Sequence, residues 1–184
     1  MSWHRYFIEM LPHVASKSKD TSTKVGSIIV DHNNIIVATG FNGFPRGVRE
    51  DESVKERFSR PNKYSYTEHA ERNALYASAR KGIALEGCTI YIGWLPCIDC
   101  ARGIIQCGIN TIVIDGRDYE NKKRYWNERW YDDFVISTKM LREAEVTVLV
   151  YDESEVWVLK NYTRLGDSEQ CHKAKDTGTT QRAT

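Results

Sequence analysis

No stretch of this chain is an apolar run of membrane-spanning length, and its first residues lack the charged, apolar and small-residue pattern of a secretory signal. A cytosolic, cytoplasmic protein is expected. An excess of charge of either sign is also missing: 26 Lys and Arg face 25 Asp and Glu, a net charge of +1. Long nucleic acids call for a concentrated basic surface, so a small substrate is favoured over a polymer. Cysteine is sparse, with five residues, an odd number that makes no convincing disulfide framework and fits a reducing compartment. No internal repeat is evident. What is present, 184 residues of which 41% are hydrophobic and 28% charged, suffices for one domain with a sizeable core. We place that domain at residues 1–152 and a C-terminal extension at 153–184.

Two short motifs carry the chemistry. His69-Ala70-Glu71 is followed by Pro96-Cys97-Ile98-Asp99-Cys100. A catalytic zinc takes three protein ligands and keeps one position for water, whose pKa it lowers toward about 7. His69, Cys97 and Cys100 supply that count. Pro96 suits the first turn of a helix, so Cys97 and Cys100, three apart, fall on one helix face, and the positive helix N-terminus favours both thiolates. Glu71 lies two residues beyond His69, within reach of the water without being a ligand, and is assigned as the general acid/base. This set of ligands and carboxylate is that of a zinc-dependent deaminase. Two other readings compete. A structural zinc would need a fourth ligand from Cys88, Cys107 or Cys171; Cys88 and Cys107 read as small buried hydrophobes, and neither has the paired spacing of a second half-site. A redox pair would need only the Cys-x-x-Cys, and the upstream His-x-Glu argues against it.

The remaining pattern is that of an α/β protein. Apolar residues at Trp3, Phe7, Ile8, Leu11, Val14 and Ala15 predict a helix over 3–15 that Pro12 kinks or divides. The β-branched runs 25–30 and 35–41 flank the turn formers Asp31-His32-Asn33-Asn34 and predict a hairpin. Residues 46–66 are polar and longer than an ordinary connection, as expected of a functional flap or a loop carrying a short helix. A helix over 67–81 ends at Gly82 and bears His69 and Glu71 in its first turn. Strand 88–92, helix 97–107, strand 111–115, helix 133–144 and strand 146–151 follow. The expected fold is a three-layer α/β/α sandwich, a mixed five-stranded sheet with helices on both faces. Residues 156–159 add a small element, and 166–184, poor in apolar residues, are expected to be disordered.

Together these residues resemble the deoxycytidylate (dCMP) deaminase family of the cytidine deaminase superfamily, over roughly residues 3–152. Besides the zinc motif, the resemblance rests on three local matches. They are Ser18-Lys19-Asp20 leading to Lys24-Val25-Gly26-Ser27, Gly40-Phe41-Asn42-Gly43 followed by Pro45, and Asn73 together with Asp118-Tyr119. The resemblance implies hydrolysis of dCMP to dUMP, supply of dUMP for thymidylate synthesis, one catalytic zinc per subunit and a homo-hexamer. It also implies activation by dCTP with Mg2+ and inhibition by dTTP, sensed near Gly40, Phe41, Asn42 and Gly43. Phe41 stands where relatives usually carry Tyr and offers no hydroxyl. Some relatives hold a second zinc near the long loop, but residues 44–66 contain neither Cys nor His.

A bound deoxycytidylate needs polar contacts to its sugar and base and cationic or hydroxyl donors to its phosphate. Asn42 and Asn73 are candidates for the former, and Lys17, Lys19, Thr23, Lys24 and Tyr119 for the latter. Another cytosine nucleotide, such as dCTP or a 5-substituted dCMP, would meet the same requirements. The segment Lys122-Lys123-Arg124-Tyr125-Trp126 with Arg129-Trp130 mixes bases and aromatics, but Glu120, Glu128, Asp132 and Asp133 surround it. It reads as a connection packed on the fold or a subunit contact rather than a nucleic-acid surface.

Overall fold

The helical spacing of Phe7, Ile8, Leu11 and Ala15 puts all four on the buried side of helix α1, Trp3–Ala15, in a computed structural model that describes residues 1–117, 130–153 and 155–159, and the backbone of 171–174. Ser2 caps it, its Oγ accepting the Arg5 N–H at 3.3 Å. The helix continues through Pro12 as one element, contrary to the expected division, at the cost of one backbone donor.

Strands β1 (Gly26–Val30) and β2 (Ile36–Phe41) form the expected antiparallel hairpin, and β3 (Thr89–Ile92), β4 (Thr111–Asp115) and β5 (Thr147–Asp152) follow. The sheet is larger than the five strands expected. Glu155–Leu159 adds β6 and Cys171–Ala174 adds β7, giving seven strands in the order β2-β1-β3-β4-β5-β6-β7. Pairs β3–β4 and β4–β5 are parallel, the others antiparallel, so the sheet is mixed. Strand β7 lies within the stretch expected to be disordered and corrects that expectation for four residues; the rest of that stretch falls outside the described residues.

Strand alternation sorts the core into two layers. Ile28, Val30, Tyr91, Val113, Tyr151 and Val156 meet α1 on one face. Ile29, Ile90, Ile92, Ile112, Ile114, Val148 and Val150 form the other, covered by α3 (Ala70–Lys81), α4 (Ile98–Gln106) and α5 (Tyr131–Glu143). The long connection after β2 holds a 3₁₀ segment, Glu52–Phe58, and a single-turn helix α2, Lys63–Tyr66. Phe44 and Phe58 stack there with centroids 4.6 Å apart, and the Arg57 guanidinium lies over Tyr66, so the flap carries its own small apolar contact.

One close approach ties the hairpin to the helix beneath it. A Cβ on Gly40 would lie 2.1 Å from the Ala70 carbonyl oxygen and 2.5 Å from the Ala74 nitrogen, so β2 rests directly on the α3 backbone. The neighbouring Ser27 hydroxyl donates to the same Ala70 carbonyl at 2.8 Å. The first turn of α3 is thereby pinned to both hairpin strands.

Candidate active site

Two helix starts converge at one point. His69 is the N-cap of α3 and Cys97 the N-cap of α4, both with extended backbone and neither making a side-chain capping bond. Their carbonyls accept the first helical bonds, from Asn73 and Ala101. Pro96 therefore precedes the cap and does not occupy the first turn as expected. Cys97 and Cys100 sit at N-cap and N3, positions whose side chains meet across a helix start in a capping box, and here both present sulfur. His69 Nδ1 lies 3.4 Å from Cys97 Sγ and 3.5 Å from Cys100 Sγ. A tetrahedral zinc with ordinary Zn–S and Zn–N bonds separates its N and S ligands by about 3.5 Å, which both His69–Cys distances match, and all three ligand atoms lie within 4.8 Å of one another. Neither Cys88 nor Cys107 joins the group among the described residues.

The electrostatics agree with a metal-binding trio. Before a metal binds, the Cys100 thiol donates to Cys97; this bond and the His69 ring hold Cys97 at about 4 against the opposing effect of burial, while Cys100 is pushed up by giving that bond and by burial. The two thiols thus share one proton, which a metal ion would displace. Hydrogen bonding to Cys97 raises the His69 ring against burial. Glu71, one residue into α3, is 6% exposed, and burial raises its carboxyl above the usual range.

The helices that carry the ligands are also joined outside the site. Arg72 Nε bonds Glu68 at 2.6 Å and its other arm reaches Asp99 of α4 at 3.4 Å, while Asp99 also takes Arg102. Glu68 in turn exchanges backbone hydrogen bonds with Gly43, at 2.8 and 3.1 Å, which continues the hairpin edge up to His69. These contacts were not read from the sequence, although Asp99 lies inside one motif and Arg72 directly follows the other.

His69, Glu71 and Cys97 open into a cavity of about 160 Å³. Trp94, Leu95, Trp130 and Phe134 form its apolar wall, and Asp20, Thr23, Asn42, Arg60, Lys63 and Thr67 its polar wall. Of the predicted substrate contacts, Thr23 and Asn42 reach it. The Asn42 amide, however, is spent on backbone, accepting from Val25 N–H at 2.8 Å and donating to the Thr23 carbonyl at 2.9 Å. Asn73 donates to the Phe41 carbonyl at 2.8 Å and does not line the cavity. Lys17, Lys19 and Lys24 are exposed and outside the lining, and Lys19 pairs with Glu50 at 2.7 Å. Within the Gly40–Gly43 motif, Gly40 is a packing contact and Phe41 is 40% exposed. Tyr119 and the basic-aromatic segment lie outside the described residues, apart from Trp130, which lines the cavity.

Lys63, Arg60, Trp94 and Phe134 were missed. The carboxyl end of β3 is the usual place for a ligand site in an open α/β sheet, and Trp94 and Leu95 lie just past it, so that position was an available signal. Nothing local distinguishes Lys63 from a surface lysine.

Comparison with known proteins agrees with this geometry. Residues 1–115 match the model of the cytidine and deoxycytidylate deaminase zinc-binding region. The chain is 38% identical to an uncharacterized deaminase of Aliivibrio fischeri, over 79% of this chain and 91% of that one. It is 34% identical to the deoxycytidylate deaminase of Pongo abelii, over 83% of this chain and 87% of that one. In fold it is similar to the dCMP deaminase of cyanophage S-TIM5 solved with dCMP and dUMP (TM-score 0.60, 24% identity, covering 80% of this chain and 95% of that one). The three-ligand cluster at the two helix starts, the buried carboxylate beside it and these likenesses lead to one conclusion: the chain belongs to the cytidine and deoxycytidylate deaminase zinc-binding family.

Proposed function

We propose that the protein deaminates dCMP hydrolytically to dUMP, releasing ammonia. The observation that carries the reading is the buried Glu71 in the lining of the same cavity as His69 and Cys97, together with aromatic side chains suited to a flat base. The relatives named for deoxycytidylate support the choice of base and phosphate number. His69, Cys97 and Cys100 would hold a zinc ion, whose chemistry would be to make water a competent nucleophile at neutral pH.

The chain's own residues do the rest. Trp94, Leu95, Trp130 and Phe134 give a pyrimidine ring an apolar slot and exclude bulk water from one side of it. Glu71 takes one proton of the attacking water and passes it to ring N3, then takes the proton of the new C4 hydroxyl and delivers it to the C4 amino group; the C4–N bond breaks, ammonia leaves and C4=O forms. Its burial suits a group that must hold a proton between two transfers.

Steady-state conversion of dCMP by zinc-loaded protein, with Glu71→Gln as control, tests the reading. The variant should keep its zinc and lose roughly 10²- to 10⁴-fold in turnover. Comparable turnover in the zinc-loaded variant would refute the role of Glu71. Faster turnover of dCTP or a 5-substituted dCMP at matched concentration would transfer the proposal to that nucleotide.

The same reading includes a homo-hexamer, an activating dCTP–Mg2+ and an inhibitory dTTP. For the effectors alone, the support here is the route from exposed Phe41, through its carbonyl to Asn73, into the helix that bears Glu71. Titration of both triphosphates against turnover tests it.

A further inference from the structure

A nucleotide differs from its nucleoside by a phosphate dianion, and a cavity that selects for it must offer a cation not already neutralised. Away from the metal ligands, the described residues lining the cavity include two cations, Lys63 and Arg60. Lys63 Nζ is 2.8 Å from Asp20 Oδ2 and 2.6 Å from Ser22 Oγ, and both side chains of the ion pair are less than a tenth exposed. Asp20 Oδ1 is held in turn by the N–H groups of Ser22 and Thr23 and by the Ser22 hydroxyl. The carboxylate cannot leave Lys63 without breaking that loop. A phosphate brought against Lys63 would be pressed on Asp20 at hydrogen-bond range, where like charges repel strongly in a partly desolvated wall.

Arg60 differs on each count. It is exposed, three residues before Lys63, and its guanidinium stands 5.9 Å from the centroid of the Tyr64 ring, another residue of the cavity wall. No carboxylate of the described residues pairs with it. A planar guanidinium over an aromatic face is partly oriented and keeps its N–H fork free for two phosphate oxygens. Lys17, Lys19 and Lys24 lie outside the lining.

The geometry points to Arg60 as the residue that selects a 5′-monophosphate over the free nucleoside, with the neutral Asp20–Lys63 pair shaping the wall rather than binding the charge. This rests on the reading of the cavity as a cytosine-nucleotide site.

The experiment is calorimetric binding of dUMP and of deoxyuridine to the zinc-loaded full chain, wild type, Arg60→Gln and Arg60→Lys, alongside turnover of dCMP and deoxycytidine. The ratio of the two affinities cancels a general structural loss. It should fall roughly 10- to 100-fold in Arg60→Gln, the loss of one charge-assisted bidentate contact, and be partly restored in Arg60→Lys. Wild-type protein that binds dUMP no more tightly than deoxyuridine, or an Arg60→Gln variant that keeps the wild-type ratio, would overturn the inference. Because the product pair is read by binding, absent turnover would count against the proposed reaction while leaving the Arg60 assignment decided by the affinities.

Discussion

Replacing Gly40 by Ala puts a methyl carbon 2.1 Å from the Ala70 oxygen and 2.5 Å from the Ala74 nitrogen, both of them backbone atoms that no rotamer change can move. Relief to ordinary contact requires β2 and α3 to part by about 1 Å, and overpacking of this kind costs about 1–3 kcal/mol. Ala70 directly follows His69 and precedes Glu71, so the displacement falls on the start of the helix that positions both. A misplacement of about 1 Å at a reacting group is worth about 100-fold in rate. Gly43→Ala is the internal control: its methyl would meet the Phe41 ring at 3.8 Å, an ordinary contact, within the same four-residue motif. Thermal unfolding and dCMP turnover of the two variants make the comparison. Gly40→Ala should lose several degrees in Tm and about 100-fold in turnover, and Gly43→Ala little of either. A Gly40→Ala protein with wild-type Tm and turnover would refute the packing argument, and equal losses in both variants would show that the motif acts through something other than contact with α3.

Two further outcomes concern the buried ion pair. Lys63→Met should destabilise the fold by about 3–5 kcal/mol because it strands the Asp20 carboxylate, and the double variant with Asp20→Asn should recover most of that loss; thermal or urea unfolding of both measures the coupling. The Asp20 carboxyl is raised by burial but, more strongly, lowered by Lys63 and by the N–H groups of Thr23 and Ser22, for a net value of about 2 against 3.8 in the unfolded chain. The folded state therefore binds fewer protons between these values, and about 2 kcal/mol of stability, complete above pH 3.8, is lost as pH falls toward about 2. Urea unfolding at pH 5 and pH 2.5 should show that loss in wild type, and a much smaller one in Asp20→Asn.

The parts of this molecule that were legible in the sequence are those written in neighbouring residues. His69 with Glu71, and Cys97 with Cys100, are read from spacing because one helix start brings each pair together. Strands β1 to β5 are visible because β-branched residues alternate or run together. The cavity walls are not, since Thr67, Trp94 and the Trp130–Phe134 helix start come from three segments that meet only in the fold. Lys17, Lys19 and Lys24 lie in the right loop and yet miss the cavity, because residue type does not reveal where a side chain points. Asn42 misled in the opposite sense: it reaches the cavity, but a buried amide must satisfy its own bonds, and the Thr23 and Val25 backbone claims them. Strand β7 escaped notice because four residues paired along a backbone edge need no apolar alternation.

The unbonded caps of α3 and α4 carry a consequence for engineering. Asp, Asn or Ser at a helix start stabilises it by about 1 kcal/mol over a residue that makes no capping bond. At His69 and Cys97 the chain forgoes that stability twice. A search that rewarded thermostability alone would choose those two positions for replacement by good caps and would strip out two of the three atoms able to grip the metal. In this fold a tougher helix and a working centre compete for the same two residues.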